Sequence, residues 1–168
     1  MPRSGTRANP ETAPFSIYHF KEIKMQVPAD ILYIEDNEDY IEFMKRAMSK
    51  INSSLRVNVV TDGKGTLQYI DDVTGIEGLP KLILLDINLP DYNGLDLLAK
   101  IRSHKSLRYI PVVMLSSSEN PVDIRKALDG GANAYLVKPM GLAPLMETLR
   151  SICNFWLNHH QTVESFAA

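Results

Sequence analysis

Five short runs rich in branched apolar residues lie near positions 30–34, 56–61, 81–86, 110–115 and 133–137. Between and after them, apolar residues recur every three or four positions near 38–50, 64–72, 94–103, 120–129 and 142–157. The first spacing is that of buried strands and the second that of amphipathic helices. Ile41, Met44, Met48 and Ile51 share one helical stripe, as do Leu142, Leu145, Met146, Leu149, Ile152, Cys153 and Trp156. Strict strand–helix alternation predicts an α/β fold: a doubly wound, five-stranded parallel sheet with crossover helices on both faces. Asn93-Gly94 supplies a turn before the third helix, and Gly130-Gly131 sits where a left-handed cap should end the fourth. Pro111 opens a strand and Pro144 lies in a first helical turn, positions that tolerate proline.

The ends of the apolar runs carry the chemistry. Lys81-Leu-Ile-Leu-Leu-Asp86-Ile-Asn-Leu-Pro90 breaks from a buried strand into a carboxylate and turn residues. Ala29-Asp-Ile-Leu-Tyr-Ile34-Glu35-Asp36 repeats that construction upstream, and Tyr135-Leu-Val-Lys138-Pro139 ends a later run in an amine. In an open α/β sheet the functional crevice lies beyond the carboxyl ends of the strands, where Glu35, Asp36, Asp86, Ser116 and Lys138 all emerge. Three clustered carboxylates repel one another unless a cation intervenes, and hard oxygen ligands suit Mg²⁺. With the ion in place, one carboxylate can act as a nucleophile toward phosphorus while Lys138 and Ser116 face the phosphoryl oxygens.

Composition narrows the alternatives. A chain of 168 residues, 45% hydrophobic and 23% charged, suits one core domain with tails, here divided into a loosely ordered leader (1–28), the domain (29–157) and a tail (158–168). A formal charge of −2 gives no broad pull toward nucleic acid or anionic membrane. The single cysteine, Cys153, reads as a core thiol, and without a signal peptide or long apolar span a cytoplasmic location is expected. Gly63-Lys64-Gly65-Thr66 lacks the spacing of a phosphate loop and reads as a turn opening a helix. Asn52-Ser53-Ser54 matches a glycosylation sequon only by letter, and His159-His160 lack a third ligand nearby.

These motifs together resemble the receiver domain of two-component response regulators over about residues 29–157. The resemblance rests on Glu35-Asp36-Asn37, Leu-Leu-Asp86-Ile-Asn-Leu-Pro90 with Asn93-Gly94, Pro111-Val-Val-Met-Leu-Ser116, Gly131-Ala-Asn-Ala-Tyr135 and Lys138-Pro139. It implies a flavodoxin-like strand order of 2-1-3-4-5 and a phosphoryl group accepted on Asp86 from a sensor histidine kinase or histidine phosphotransfer protein. Glu35, Asp36, Asp86 and the backbone carbonyl of Asn88 would hold Mg²⁺, and Ser116 and Lys138 would bind phosphoryl oxygens. Ser116 and Tyr135 would act as the switch, remodelling a face made by the fourth helix, the fifth core strand and the fifth helix. A cis Lys138–Pro139 bond is common in such domains, and Gly94 and Pro139 are structural positions. Asn88 and Ser118 would flank the water that hydrolyses the phosphate. Ser-Ser-Ser-Glu119-Asn-Pro-Val-Asp-Ile124, the Gly-Ala-Asn sequence and Phe155-Trp156 are similar to the stand-alone regulators paired with bacterial phytochromes.

The short stretch after Trp156 leads us to expect output through contacts or phosphate relay rather than an appended DNA-binding or enzymatic domain. Catalysis would be confined to self-catalysed phosphoryl transfer and autodephosphorylation. The apolar stripe of the last helix is compatible with edge packing or a symmetric dimer. Two other classes compete: a phosphorylation-independent interaction module on the same fold, and a flavin or nucleotide binder. The acidic Glu35-Asp36-Asn37-Glu38-Asp39 run opposes a phosphate site after the first strand, and retention of all five pocket residues opposes a lost switch.

Overall fold

Six strands make one parallel sheet: β1 (Phe15–Tyr18), β2 (Ile31–Ile34), β3 (Val57–Val60), β4 (Leu82–Leu85), β5 (Val112–Ser116) and β6 (Ala134–Val137). The helices are α1 (Glu38–Ile51), α2 (Gly63–Asp72), α3 (Gly94–Ser103), α4 (Pro121–Asp129) and α5 (Leu142–Cys153). The computed structural model describes residues 15–18, 29–75 and 78–160. Its sheet order is β1-β3-β2-β4-β5-β6, which contains the expected five-strand order and adds a strand at one edge.

Alternation along each strand sorts side chains into two layers. Ile31, Tyr33, Val57, Val59, Leu82, Leu84, Val113 and Leu115 pack with Met44 and Met48 of α1 and Leu145 and Leu149 of α5. Leu32, Ile34, Val60, Ile83, Leu85, Val112 and Met114 face the other way, toward Ile70, Leu97, Leu98, Ile101 and Ala127 of α2, α3 and α4. Each fully buried aliphatic side chain contributes on the order of 2 kcal/mol. The centre of the sheet therefore fixes where its strands end.

The helices begin at the edge where the strands end. Asn37 accepts the Asp39 and Tyr40 N–H groups, Asp62 the Gly65 N–H, Asn93 the Leu95 N–H and Asn120 the Val122 N–H. Caps of this kind contribute about 1 kcal/mol each and hold the loops around the crevice. At the opposite edge, Gly131 takes φ +94° after α4, the left-handed cap expected there.

Three expectations need correction. Phe15–Tyr18, placed in a loosely ordered leader, forms β1, paired in parallel with Val57–Val60. Phe15 packs on the α1 face and finds a partner edge no local pattern reveals; the rest of 1–28 lies outside the described residues. The Lys138–Pro139 bond is trans, since no described peptide bond is cis, which is the isomer favoured intrinsically by about 0.5–1 kcal/mol. The last helix does not stop at 157: it continues as a π-helical turn over Asn154–His159.

Candidate functional site

β2 and β4 are neighbours in register, Ile34 opposite Leu85, so the residues that follow them, Glu35 and Asp86, emerge side by side. β6 runs beside β5, with Val137 opposite Ser116, and the Lys138 N–H donates to the Ser116 carbonyl at 2.8 Å. Lys138 thus enters the same crevice. Its Nζ lies 2.7 Å from Asp86 Oδ2 and 2.5 Å from Glu35 Oε2, with the three side chains almost wholly buried. One carboxylate oxygen each from Glu35, Asp36 and Asp86 lies within 4.8 Å of the others, Asp36 being the exposed member. Hard oxygen donors at this spacing fit a divalent cation of the Mg²⁺ type.

The electrostatics are unbalanced because two buried carboxylates share one cation. Burial raises the Glu35 carboxyl above its ordinary range; Lys138 and the Asn37 N–H oppose that shift without cancelling it, and Asp86 adds to it. Burial by itself would lower the Lys138 ammonium, but Glu35 and Asp86 outweigh it and the net direction is upward. Both members of the pair therefore shift up. The amine stays charged, and the surplus negative charge is what a metal ion would relieve.

The remaining predicted residues take definite places. Ser116 ends β5 fully buried, its Oγ accepting a long 3.4 Å contact from the Ser118 N–H. Tyr135 is half-buried in β6 and donates to the Ser118 carbonyl at 2.8 Å, which ties it to the loop after Ser116. The Ser118 hydroxyl donates to Asp123 Oδ2 of α4 at 2.7 Å. Asn88 is exposed and bridges to Asn93, closing the loop between β4 and α3. A β-carbon on Gly94 would stand 2.0 Å from the Asp86 carbonyl oxygen, so only glycine lets α3 start this close to the site. Pro139 is half-buried directly after Lys138. Cys153 is buried, its thiol pushed up to about 11 by burial, as a core thiol should be.

Two aromatic residues at the site were not singled out from the sequence. The Tyr33 hydroxyl donates to Glu35 Oε2 at 3.0 Å, and the Tyr40 ring lies 4.6 Å from Lys138 Nζ, a cation–π distance. Alternation could have found the first, because Tyr33 and Glu35 share a face of β2. Burial, reinforced by Glu35, holds the Tyr33 phenol well above its ordinary range, so it remains a donor. An open cleft of about 660 Å³ lined by Asp36, Glu38, Ile41, Thr61, Pro90 and Ile17 adjoins the site. A comparable cleft of about 700 Å³ lies between the ends of α1 and α5 and includes none of the five pocket residues.

The response regulator receiver domain family matches residues 31–150. The probable methanogenesis regulatory protein FilR2 of Methanothrix harundinacea is 33% identical over 141 residues, 83% of this chain and 91% of the relative. Response regulator Rcp1 of Synechocystis is 30% identical over 132 residues, 77% and 90% of the two chains; its Mn²⁺-bound crystal structure superposes with a TM-score of 0.66, covering 80% and 99%. The phosphorylated cyanobacterial phytochrome response regulator RcpA superposes with a TM-score of 0.73 at 34% identity, covering 80% and 98%. None of the helices among the described residues is long and apolar enough to cross a membrane. With this breadth of match laid over a parallel sheet whose carboxyl edge gathers acids and a lysine, the chain belongs to the response regulator receiver family, the phosphate-accepting partners of sensor histidine kinases and phosphotransfer proteins in two-component signalling.

Proposed function

We propose that Asp86 is the phosphoacceptor of a phosphorylation-operated signalling module, served by a phosphohistidine on a sensor histidine kinase or histidine phosphotransfer protein. One observation carries this reading: a carboxylate at the end of a central strand, bonded to a buried ammonium and adjoining two further acids. Glu35, Asp36, Asp86 and the Asn88 carbonyl would hold Mg²⁺, which supplies charge neutralisation at the phosphoryl oxygens. An Asp86 carboxylate oxygen attacks phosphorus; a P–O bond forms as the P–N bond breaks, and its electron pair stays with the departing imidazole. Lys138, already charged, and the Ser116 hydroxyl stabilise the equatorial oxygens without moving a proton. Water later hydrolyses the acyl phosphate and restores Asp86.

Signalling then runs through Ser116 and Tyr135 to the face of α4, β6 and α5. Val122, Leu128, Val137 and Met140 stand exposed around that face, which suits a protein contact or a homodimer. The similarity to RcpA supports a phytochrome-type kinase as the donor. Incubating the full chain with acetyl phosphate and Mg²⁺ tests the reading. Intact mass should rise by one phosphoryl group in the wild type and not in Asp86→Ala; uptake by the variant, or none by the wild type, would remove Asp86 from the role.

A further inference from the structure

Glu35 is held by three donors. The Tyr33 hydroxyl and Lys138 Nζ both bond Oε2, at 3.0 and 2.5 Å, and the Asn37 N–H bonds Oε1 at 3.1 Å. A carboxylate oxygen offers two lone-pair sites, so Oε2 is saturated and Oε1 is the freer atom. The arrangement follows from the strand. Residues two apart on one face are about 6.5 Å apart, a span the phenol bridges, while the Tyr33 ring lies buried among the side chains between β2 and α1.

We propose that Tyr33 is a positioning residue for phosphorylation: with Lys138 it occupies Glu35 Oε2, fixes the carboxylate plane and reserves Oε1 for the divalent ion. The inference rests on the reading of Asp86 as phosphoacceptor and of Glu35 as an ion ligand. A donor bonded behind a metal ligand orients it, and such outer contacts carry roughly 10–100-fold in metal affinity. Phenylalanine keeps the shape of residue 33 and removes only that donor. Without it Glu35 is held by Lys138 and one N–H, and one lone-pair site of Oε2 is freed to compete for the ion. The loss falls on metal binding, since Lys138 and Asp86 keep their own contact.

The test compares wild type, Tyr33→Phe and Tyr69→Phe as full chains, following acetyl phosphate-dependent phosphorylation over a Mg²⁺ series. Tyr69 is equally buried but belongs to the opposite layer, so its variant controls for the tyrosine-to-phenylalanine change itself. The half-saturating Mg²⁺ concentration should rise about tenfold in Tyr33→Phe, with the rate at saturating Mg²⁺ within about twofold of wild type, and stay put in Tyr69→Phe. A half-saturation that changes less than about twofold, or falls, would overturn the inference. A wild type that takes up no phosphate would instead overturn the phosphoacceptor reading, and this inference with it. Should Tyr33→Phe fail to fold, the wild-type Tyr33 ring resonances followed by NMR through the Mg²⁺ series decide: a shift absent from Tyr69 supports positioning, and none overturns it.

Discussion

The neighbouring strands β2 and β4 carry charges at both ends, and the two ends behave differently. At the amino edge, Asp30 accepts from Lys81 Nζ at 3.0 Å and from the Arg56 N–H at 3.0 Å, and both cationic side chains are about half exposed. Burial pushes Asp30 up, but the Arg56 N–H, Lys81 and the Arg56 charge more than offset it, so its carboxyl lies below the usual range. At the carboxyl edge the same strands release Glu35 and Asp86 onto one buried lysine, and Glu35 and Lys138 both shift upward. The first cluster is a satisfied clamp whose ions still reach water; the second is short of positive charge. Placement relative to solvent, rather than the presence of acid–base pairs, separates scaffold from chemistry.

Lys138→Ala should give the largest effect. Removing one partner of a buried pair leaves uncompensated charge and costs about 3 kcal/mol in urea unfolding with chelator present. Glu35 already has a raised carboxyl, and losing Lys138 raises it further, so the deficit should be full at alkaline pH and shrink as acid protonates Glu35. An equal deficit at pH 5 and pH 8 would break the distinction between the two edges. Next comes Gly94→Ala, whose β-carbon must push on the Asp86 carbonyl. About 1–3 kcal/mol of overpacking is expected, with acetyl phosphate-dependent phosphorylation slowed along with it. Unfolding curves and mass-based rates measured on one preparation would check both.

Asp30→Asn should do least, about 1 kcal/mol at neutral pH with no change in the phosphorylation rate. Because the folded-state value of Asp30 is depressed, its contribution is present above about pH 4 and lost as pH falls through that lower value. Variant and wild type should therefore converge in stability in strong acid. A slowed phosphorylation rate in this variant would show that the amino edge feeds the chemistry after all.

The core five strands and the five helices were legible from their apolar periods, and the meeting of Glu35, Asp36, Asp86 and Lys138 at one edge was legible for a further physical reason. A run buried on both faces has no tolerance for charge, so Glu35, Asp86 and Lys138 stand out where the runs stop. Asn93-Gly94 and Gly130-Gly131 were legible because their backbone demands are local. β1 was not, because Phe-Ser-Ile-Tyr between prolines carries no signal of its own and becomes a strand only by meeting the outer edge of β3. The Tyr33 contact was half legible: alternation puts Tyr33 and Glu35 on one side of the chain, while the bond itself depended on where the Glu35 side chain turned. The reach of the last helix past 157 was not legible because its final residues, Asn158 and His159, are exposed and add nothing to the apolar period.

β1 also bears on how the chain should be handled in the laboratory. The family match begins at residue 31, and a gene trimmed to that boundary would strip the flank from Val57-Asn-Val-Val60, turning a protected strand into a template for intermolecular pairing. Shortened preparations should precipitate or self-associate at concentrations the whole polypeptide tolerates, and such behaviour would reflect the cut rather than the protein's own oligomeric habit.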